Sequence, residues 1–422
     1  MDRVNSFMKI LRLNSIVSFR GGAEAYIENI TDMLSEIGHE TLTITFVSGE
    51  ENGQKPGFVE VKMSSNSVLR FIKDTIPWDQ IVSYLLEKNA EFKPDIIHLH
   101  HLRNAFASVM KFLKMTEVPV VFTAHDALFV CPISTLVQPG NVICDGGTGI
   151  RCAFTGCKVH GHMTYELLLS YAIRKLSSGR IKAFLCPSYS IFNYLHNNGF
   201  GPVVHLPSFS KFDENVLKDE PEYEKILEKK NIGYIGRLES YKGVHDLLNA
   251  FSIFVKSHPD FKLKIAGTGG FEAELHKQAD RMQLSPNIEW MGKINLKERE
   301  EFYKSVSAIV VPSNFWENFA LVAQEALLRG IPTVGTNIGG IPEIVKDGIT
   351  GRIVPISSPV EVAGAIEDIY SNTAKSLKLM KEGRTFILNN ISPERHLEGL
   401  LKVYDRILQK KPIKDESEAL EL

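Results

Sequence analysis

Two carboxylates and two cations stand where they can do chemistry on one ligand. Glu317 and Glu325 are eight residues apart, about two helical turns. An ionised carboxylate accepts strong hydrogen bonds from O–H donors, so such a pair suits a ligand with several hydroxyls. Between them the amides of Asn318, Phe319, Ala320 and Leu321 fall at the expected start of a helix. Unpaired N–H groups and the positive dipole end make that start an anion site. Arg237 and Lys242 follow another strand at a spacing that lets both reach one anion, and cations there neutralise a departing diphosphate. A place that holds phosphate and several hydroxyls together is what a nucleotide sugar needs. On spacing alone, the same residues also read as solvated charges on a helix and a loop.

Other reactive side chains cluster in the first half. Pro94 to His101 is a buried strand ending in His98, His100 and His101. Strand alternation puts His98 and His100 on one face, and within that run no acid or cysteine shares that face with them. His98 is therefore expected to pack, with His100 and His101 lining a cleft at the carboxyl end of the strand, where open parallel sheets bind ligands. His125 and Asp126 follow the strand 118–123; a histidine there can orient an acceptor or handle a proton. Gly21 and Gly22, ahead of Glu24, form a strand-to-helix turn where backbone can approach phosphate. Cys131, Cys144, Cys152 and Cys157 are spaced C-x12-C-x7-C-x4-C. They are candidates for a structural zinc, with free thiols as the other reading.

These side chains need rigid elements behind them. The run ending at Val311 is a strand; Pro312 and Ser313 stop it, Ala320 to Arg329 reads as a helix, and Pro332 to Thr336 as the next strand. Two strands flanking one helix make a βαβ unit and imply a parallel sheet. The same alternation runs through the chain: strands near 8–14, 41–47, 181–187, 231–235 and 261–266, helices near 23–37, 244–257, 359–371 and 377–390. Gly267-Thr268-Gly269-Gly270 closes one strand without completing the dinucleotide fingerprint. Residues 163–178 form an apolar helix with basic residues beyond it; it reads as packed on the sheet, with contact to a bilayer surface as the alternative.

Composition narrows the class. The chain has 422 residues, 44% hydrophobic and 23% charged, with net charge −2. That length suggests two or three domains, and the charge balance gives no basic field for nucleic acid. No run has the eighteen or so apolar residues of a membrane helix, and residues 1–13 lack the apolar core of a signal peptide. Five cysteines, an odd number, fit a reducing compartment. The expectation is a cytoplasmic protein, with the inner face of the membrane as a place it can touch.

The segment 311–351 resembles the donor-binding motif of retaining nucleotide-sugar glycosyltransferases with the GT-B fold, the large family numbered four. The resemblance lies in Pro312-Ser313, the Glu317 to Glu325 spacing, Gly330-Ile331-Pro332-Thr333-Val334 and Gly339-Gly340-Ile341-Pro342-Glu343. It extends to Gly21-Gly22-Ala23-Glu24, to Thr123-Ala124-His125-Asp126, to Gly236-Arg237-Leu238 with Lys242-Gly243, and to the Ala266-to-Gly269 turn. Many relatives carry small residues after the first Glu; here Asn318, Phe319 and Ala320 stand there, which bears on which sugar fits.

That resemblance implies an α/β chain of two Rossmann-like, doubly wound domains facing across a cleft. The N-terminal, acceptor-binding domain would span 8–209, with the cysteine-rich loop 131–157 inside it. A linker at 210–229, placed by its shift to charge, would lead to a donor-binding domain at 230–391. A terminal helix at 392–409 would cross back, leaving a tail at 410–422. It further implies an enzyme that moves a hexosyl group from a nucleoside diphosphate sugar to a hydroxyl of a glycan, lipid-linked or small-molecule acceptor, with anomeric retention, as in polysaccharide biosynthesis. Donor contacts would come from Gly21, Gly22, Arg237, Lys242, Gly267, Gly269, Glu317, Asn318, Phe319, Ala320, Leu321 and Glu325. His125, Glu317, Arg237 and Lys242 would be the catalytic set, and Glu24, His100, His101 and Asp126 the acceptor side. No cofactor and no catalytic metal are expected, since no Asp-x-Asp closes a strand. Two alternatives are a sugar-nucleotide epimerase or hydrolase on the same fold and a non-catalytic nucleotide-sugar-binding protein.

Overall fold

The computed structural model describes residues 7–16, 22–47, 57–63, 76–102, 105–127, 130–131, 136–138, 142–144, 146–147, 152, 155, 157, 180–210 and 214–415. Gly21, the apolar segment 163–178 and most of the cysteine-rich loop lie outside these residues. The chain divides into two compact units: residues 1–134, 145–208 and 394–422 form the first, and residues 135–144 and 209–393 the second.

Among the described residues the first unit carries seven parallel strands. They are β1 (Lys9–Ile16), β2 (Glu40–Val47), β3 (Phe58–Lys62), β4 (Ile96–Leu99), β5 (Val120–Thr123), β8 (Ile181–Cys186) and β9 (Val203–His205), in the order β3-β2-β1-β4-β5-β8-β9. The short antiparallel pair β6 (Val137–Gln138) and β7 (Val142–Ile143) interrupts this count in sequence and belongs to the second unit. β4, β5 and β9 are buried along their whole length, as parallel strands covered on both faces must be.

The second unit carries a six-stranded parallel sheet. Its strands are β10 (Asn231–Ile235), β11 (Lys262–Ala266), β12 (Ile288–Gly292), β13 (Ala308–Val311), β14 (Thr333–Thr336) and β15 (Arg352–Val354), in the order β12-β11-β10-β13-β14-β15. The side-chain period of two sorts β13 between two cores. Ala308 and Val310 join the cluster with Leu247, Phe251 and Ile366. Ile309 and Val311 join the one with Phe302, Leu327 and Met380. Helices therefore cover both faces, the doubly wound arrangement.

Order in each sheet reverses at one point, and ligands gather at the carboxyl ends of the strands flanking it. In the first sheet that point lies between β1 and β4; in the second, between β10 and β13. The loop with Arg237 and Lys242 leaves β10, and the loop with Glu317 leaves β13.

The charged stretch 210–229 is not a bare linker. Short helices span Glu214–Lys218 and Tyr223–Leu227, and Tyr223 and Ile226 enter the second unit's core. Buried Arg384 donates to the carbonyls of Val216, Leu217, Asp219 and Leu328. Low apolar periodicity hid two residues that the tertiary core uses. Helix Pro393–Leu408 belongs, from Glu394 on, to the first unit.

Candidate active site

In the second unit the β10 loop and the β13 loop are tied together. After Ile235 the chain makes a single 3-10 turn, Ser240–Lys242, and Gly243 opens helix Val244–Phe254 with φ +71°. A Cβ on Gly243 would fall 1.8 Å from the Pro312 carbonyl oxygen, so only glycine lets the backbones approach this closely. The Asn314 amide donates to the Tyr241 carbonyl at 2.9 Å. The Asn314 side chain donates to Asp246 and accepts from the Ser357 amide.

This clamp brings Lys242 to Glu317. Lys242 Nζ donates to Glu317 Oε1 at 2.5 Å, and Ser313 Oγ donates to the same oxygen at 2.6 Å. Lys242 also lies 4.5 Å from the centre of the Phe315 ring, while Arg237 stacks 5.6 Å over Tyr241. The two cations thus each take an aromatic partner, and the acid of the β13 loop is paired with a cation of the β10 loop. Spacing had separated these roles; only the strand order puts them side by side.

Glu317 is held from behind as well. Its carbonyl accepts the Gly340 amide at 2.7 Å. Gly339, at φ +59°, lies so close that an added Cβ would sit 2.1 Å from that carbonyl oxygen. Gly267 and Gly269 are placed by the same kind of contact: the Thr268 carbonyl accepts the Leu238 amide at 3.0 Å, and the Gly267 amide reaches the Gly292 carbonyl at 2.7 Å. This turn braces the loop that carries Arg237.

Helix Leu321–Leu328 starts at an N-cap, Ala320, whose own side chain makes no capping bond. The Leu321 amide donates to the Phe319 carbonyl, so it is already engaged. Asn318 and Phe319 are half-buried and Ala320 is buried. The helix has no polar side: Ala323, Gln324, Glu325, Ala326, Leu327 and Leu328 are all buried. Glu325 therefore does not lie along an open helix face. Its Oε1 accepts from Ser210 Oγ and Arg299 Nη1, each at 3.2 Å, and its Oε2 from the Tyr303 hydroxyl at 2.8 Å. Arg299 and Tyr303 belong to helix Leu296–Ser305.

The first unit holds a separate cluster of histidines and tyrosines. His98, within β4, is fully buried: its Nδ1 meets the Tyr404 hydroxyl at 2.6 Å and its Nε2 the Thr123 hydroxyl at 2.7 Å. His98 packs, as alternation and the missing metal partners suggested. His100 stacks on it at 4.3 Å, and His100 Nδ1 lies 2.9 Å from His125 Nε2. His101 Nδ1 and Asp126 are 3.6 Å apart. The Tyr26 ring packs edge-on against His125 at 5.2 Å, and its hydroxyl meets His396 Nε2 at 2.8 Å. His396 Nδ1 reaches the Pro207 carbonyl at 2.6 Å. A carbonyl only accepts, so His396 carries its proton on Nδ1 and takes the Tyr26 proton at Nε2. Glu24 sits half-buried in the first turn of helix Gly22–Glu36, and Gly22 is exposed at its start.

Burial pushes His98, His100 and His125 well below the usual histidine range, and His396 down to about 4. The unfolded chain then binds more protons than the folded one between about pH 6.5 and 4, so stability drops as the pH falls through that window. His396 alone accounts for about 3 kcal/mol, roughly 6–12 °C in Tm for a unit of this size; the other three act in the same direction. A melting series from pH 7 to 4.5 checks this, and a flat profile would contradict the neutral cluster.

Arg12, Tyr26, His396 and Tyr404 were not singled out from the sequence. Each sits in a run that reads as core strand or amphipathic helix, and only Arg12, a cation in the apolar strand Lys9–Ile16, broke its pattern. Arg12 is fully buried and donates to the Ile27 carbonyl and the Thr31 hydroxyl.

Cys131 and Cys152 are buried and Cys144 and Cys157 half-buried, and among the described residues none is joined in a disulfide. Cys144 belongs to the second unit and the other three to the first. Among the described residues no group of three or more His, Cys, Asp or Glu side chains is placed to hold a metal. Nor is any described helix long and apolar enough to cross a membrane.

Two parallel doubly wound units, with basic and acidic loops meeting at the second unit's switch point, define the GT-B class. The chain matches the family described as "Glycosyltransferase Family 4" over residues 20–208 and that described as "Glycosyl transferases group 1" over residues 216–386. It belongs to this family and is a glycosyltransferase. It is similar to an uncharacterised glycosyltransferase of Methanocaldococcus jannaschii, MJ1607, with 30% identity over 374 residues, 83% of this chain and 86% of that one. Spore coat protein SA of Bacillus subtilis (strain 168) is 29% identical over 185 residues, 42% of this chain; the match spans about half, 49%, of that relative's length. Among solved structures, Anabaena Alr3699/HepE in complex with UDP shares the fold, with a TM-score of 0.68 at 16% identity over 96% of this chain and 99% of that one.

Proposed function

We propose that the chain transfers a hexosyl group from a nucleoside diphosphate sugar to an acceptor hydroxyl with retention at the anomeric carbon. The observation that supports this best is the Lys242–Glu317–Ser313 cluster at the carboxyl ends of β10 and β13. In this reading the bond from the anomeric carbon to the diphosphate oxygen breaks and a bond to the acceptor oxygen forms. The acceptor proton leaves with the diphosphate. Arg237, Lys242 and the amides of Asn318, Phe319 and Ala320 stabilise charge building on the departing group.

Glu317 has both protein donors on Oε1, which leaves Oε2 for a sugar hydroxyl. Glu325 takes a ribose hydroxyl. A carboxylate has about four lone-pair positions, and three are filled by Ser210, Arg299 and Tyr303, so one on Oε2 remains. Gly21 and Gly22 approach the donor phosphates, and Gly267 and Gly269 position the loop beside the nucleotide. His125 orients the sugar or the acceptor, with Glu24, His100, His101 and Asp126 on the acceptor side. The acceptor is a glycan, a lipid-linked sugar or a small molecule, and the reaction belongs with polysaccharide assembly in the cytoplasm, within reach of the membrane's inner face.

A thermal-shift screen against nucleoside diphosphate sugars of several bases and sugars is the direct test. A tight donor raises the apparent Tm by mass action, and nucleotide release without acceptor separates hydrolysis from transfer. Glu317→Gln keeps the shape but loses the charge; it is expected to weaken donor binding about tenfold, near the 1.4 kcal/mol of one charged hydrogen bond. Unchanged donor affinity in Glu317→Gln would remove Glu317 from the sugar site.

A further inference from the structure

We propose that His100 is a positioning residue for His125: it donates its Nδ1–H to His125 Nε2 and so holds His125 as the Nδ1–H tautomer. His125 can then offer a neighbouring oxygen a hydrogen bond but cannot take a proton. The inference rests on the reading of His125 as a residue beside the sugar or acceptor, and it concerns one hydrogen bond inside the first unit.

His100 Nδ1 and His125 Nε2 are 2.9 Å apart, so one of the two nitrogens carries the shared proton. Neutral rings allow two arrangements. In the first, His100 holds its proton on Nδ1 and has a bare Nε2, and His125 holds its own on Nδ1. In the second, His125 donates from Nε2, leaving Nδ1 bare, and His100 carries its proton on Nε2. What separates them is the far nitrogen of His100. That Nε2 is buried and has no hydrogen-bond partner among the described residues. The second arrangement would leave an unmade N–H there, the first only a lone pair.

Arg12 is a fully buried cation that acts on both His98 and His100, and among the described residues its Nε and Nη2 have no hydrogen-bond partner. A buried cation in a poorly screening interior disfavours a second proton on His100, so the neutral arrangements are the ones to weigh. His98 cannot relieve His100, because both its nitrogens are taken by Tyr404 and Thr123. The Tyr26 hydroxyl is bonded to His396 Nε2, and its ring meets both His100 and His125 edge-on. The His125 side chain is itself only partly buried, and Nδ1 is the ring nitrogen His100 does not occupy.

The test is a two-bond nitrogen–proton correlation spectrum of the full chain labelled with 15N-histidine at pH 7, with His125 assigned by its loss in His125→Asn. The expected signature is a protonated Nδ1 and a bare Nε2 on His125. A protonated Nε2, or an imidazolium, overturns the proposal. His100→Asn keeps an N–H donor near the Nδ1 position and is expected to keep the His125 tautomer. His100→Leu removes the donor and is expected to give a mixture of His125 tautomers and about a tenfold loss of turnover. An unchanged His125 tautomer in His100→Leu also overturns the proposal. If the tautomer is lost while turnover is unchanged, the His100–His125 relation stands and it is the role of His125 in transfer that falls. Should His100→Leu fail to fold, the parent spectrum and His100→Asn still decide.

Discussion

Lys242→Ala is expected to lower turnover about 10²- to 10³-fold, the scale seen when one preorganised donor to a developing negative charge is removed. The reason lies in where Lys242 sits. It is anchored by the loop that leaves β10, its ammonium is 2.5 Å from Glu317, and the Phe315 ring limits its freedom. Nothing has to reorganise when charge appears on a nearby leaving group. Removing it does two things at once: a cation is lost from the site, and Glu317 keeps only Ser313. Stability should change far less. The side chains of Lys242 and Glu317 are 17% and 15% exposed, so water screens part of the pair, and the loss should be about 1 kcal/mol, roughly 2–4 °C in Tm. Nucleoside diphosphate release from the donor identified by the screen, with melting of the same samples, measures both. A variant that turns over like the parent would take Lys242 out of the mechanism.

Gly339→Ala should damage both stability and activity, and Gly348→Ala separates the causes. Both glycines have positive φ, +59° and +69°. A Cβ at Gly348 meets nothing within 4 Å, whereas at Gly339 it would meet the Glu317 carbonyl oxygen at 2.1 Å and the Glu317 nitrogen at 2.7 Å. Gly348→Ala therefore carries only left-handed strain, about 1–2 kcal/mol, and should leave kcat unchanged. Gly339→Ala adds a clash with backbone that cannot rotate away. It must push the Glu317 peptide by more than half an ångström and break the Gly340-to-Glu317 hydrogen bond. Misplacement of about 1 Å near reacting groups costs roughly 10²-fold in rate, and stability should fall by about 3 kcal/mol or more. Chemical denaturation and turnover of the two variants check this. If they behave alike, the clash is not what holds Glu317.

The acid lability of the histidine cluster and the Glu317→Gln result bear on different units, so each can fail alone. Loss of the first would mean that His98, His100, His125 and His396 are hydrated; loss of the second would mean that the sugar is held by other groups.

Much of the architecture was legible in the chain alone. Strand, loop, helix and strand around 311–336 could be read from apolar runs and from Pro312, Gly330 and Pro332, because backbone geometry and missing donors act locally. The same local rules placed Arg237, Lys242, Glu317 and His125 at strand ends. What they could not supply was pairing. Lys242 meets Glu317, 75 residues on, because β10 and β13 are neighbours in the sheet, and strand order is a property of the whole fold. Glu325 could be read as an acid available to a ligand, but spacing did not show that Ser210, Arg299 and Tyr303 take three of its acceptor positions. His98 and Tyr404 are 306 residues apart, and Tyr26 and His396 are 370 apart. No periodicity within one helix foretells such bonds. Residue type and local spacing determined which groups are available for chemistry; burial and partner choice, which depend on contacts between distant segments, were decided only when the chain folded.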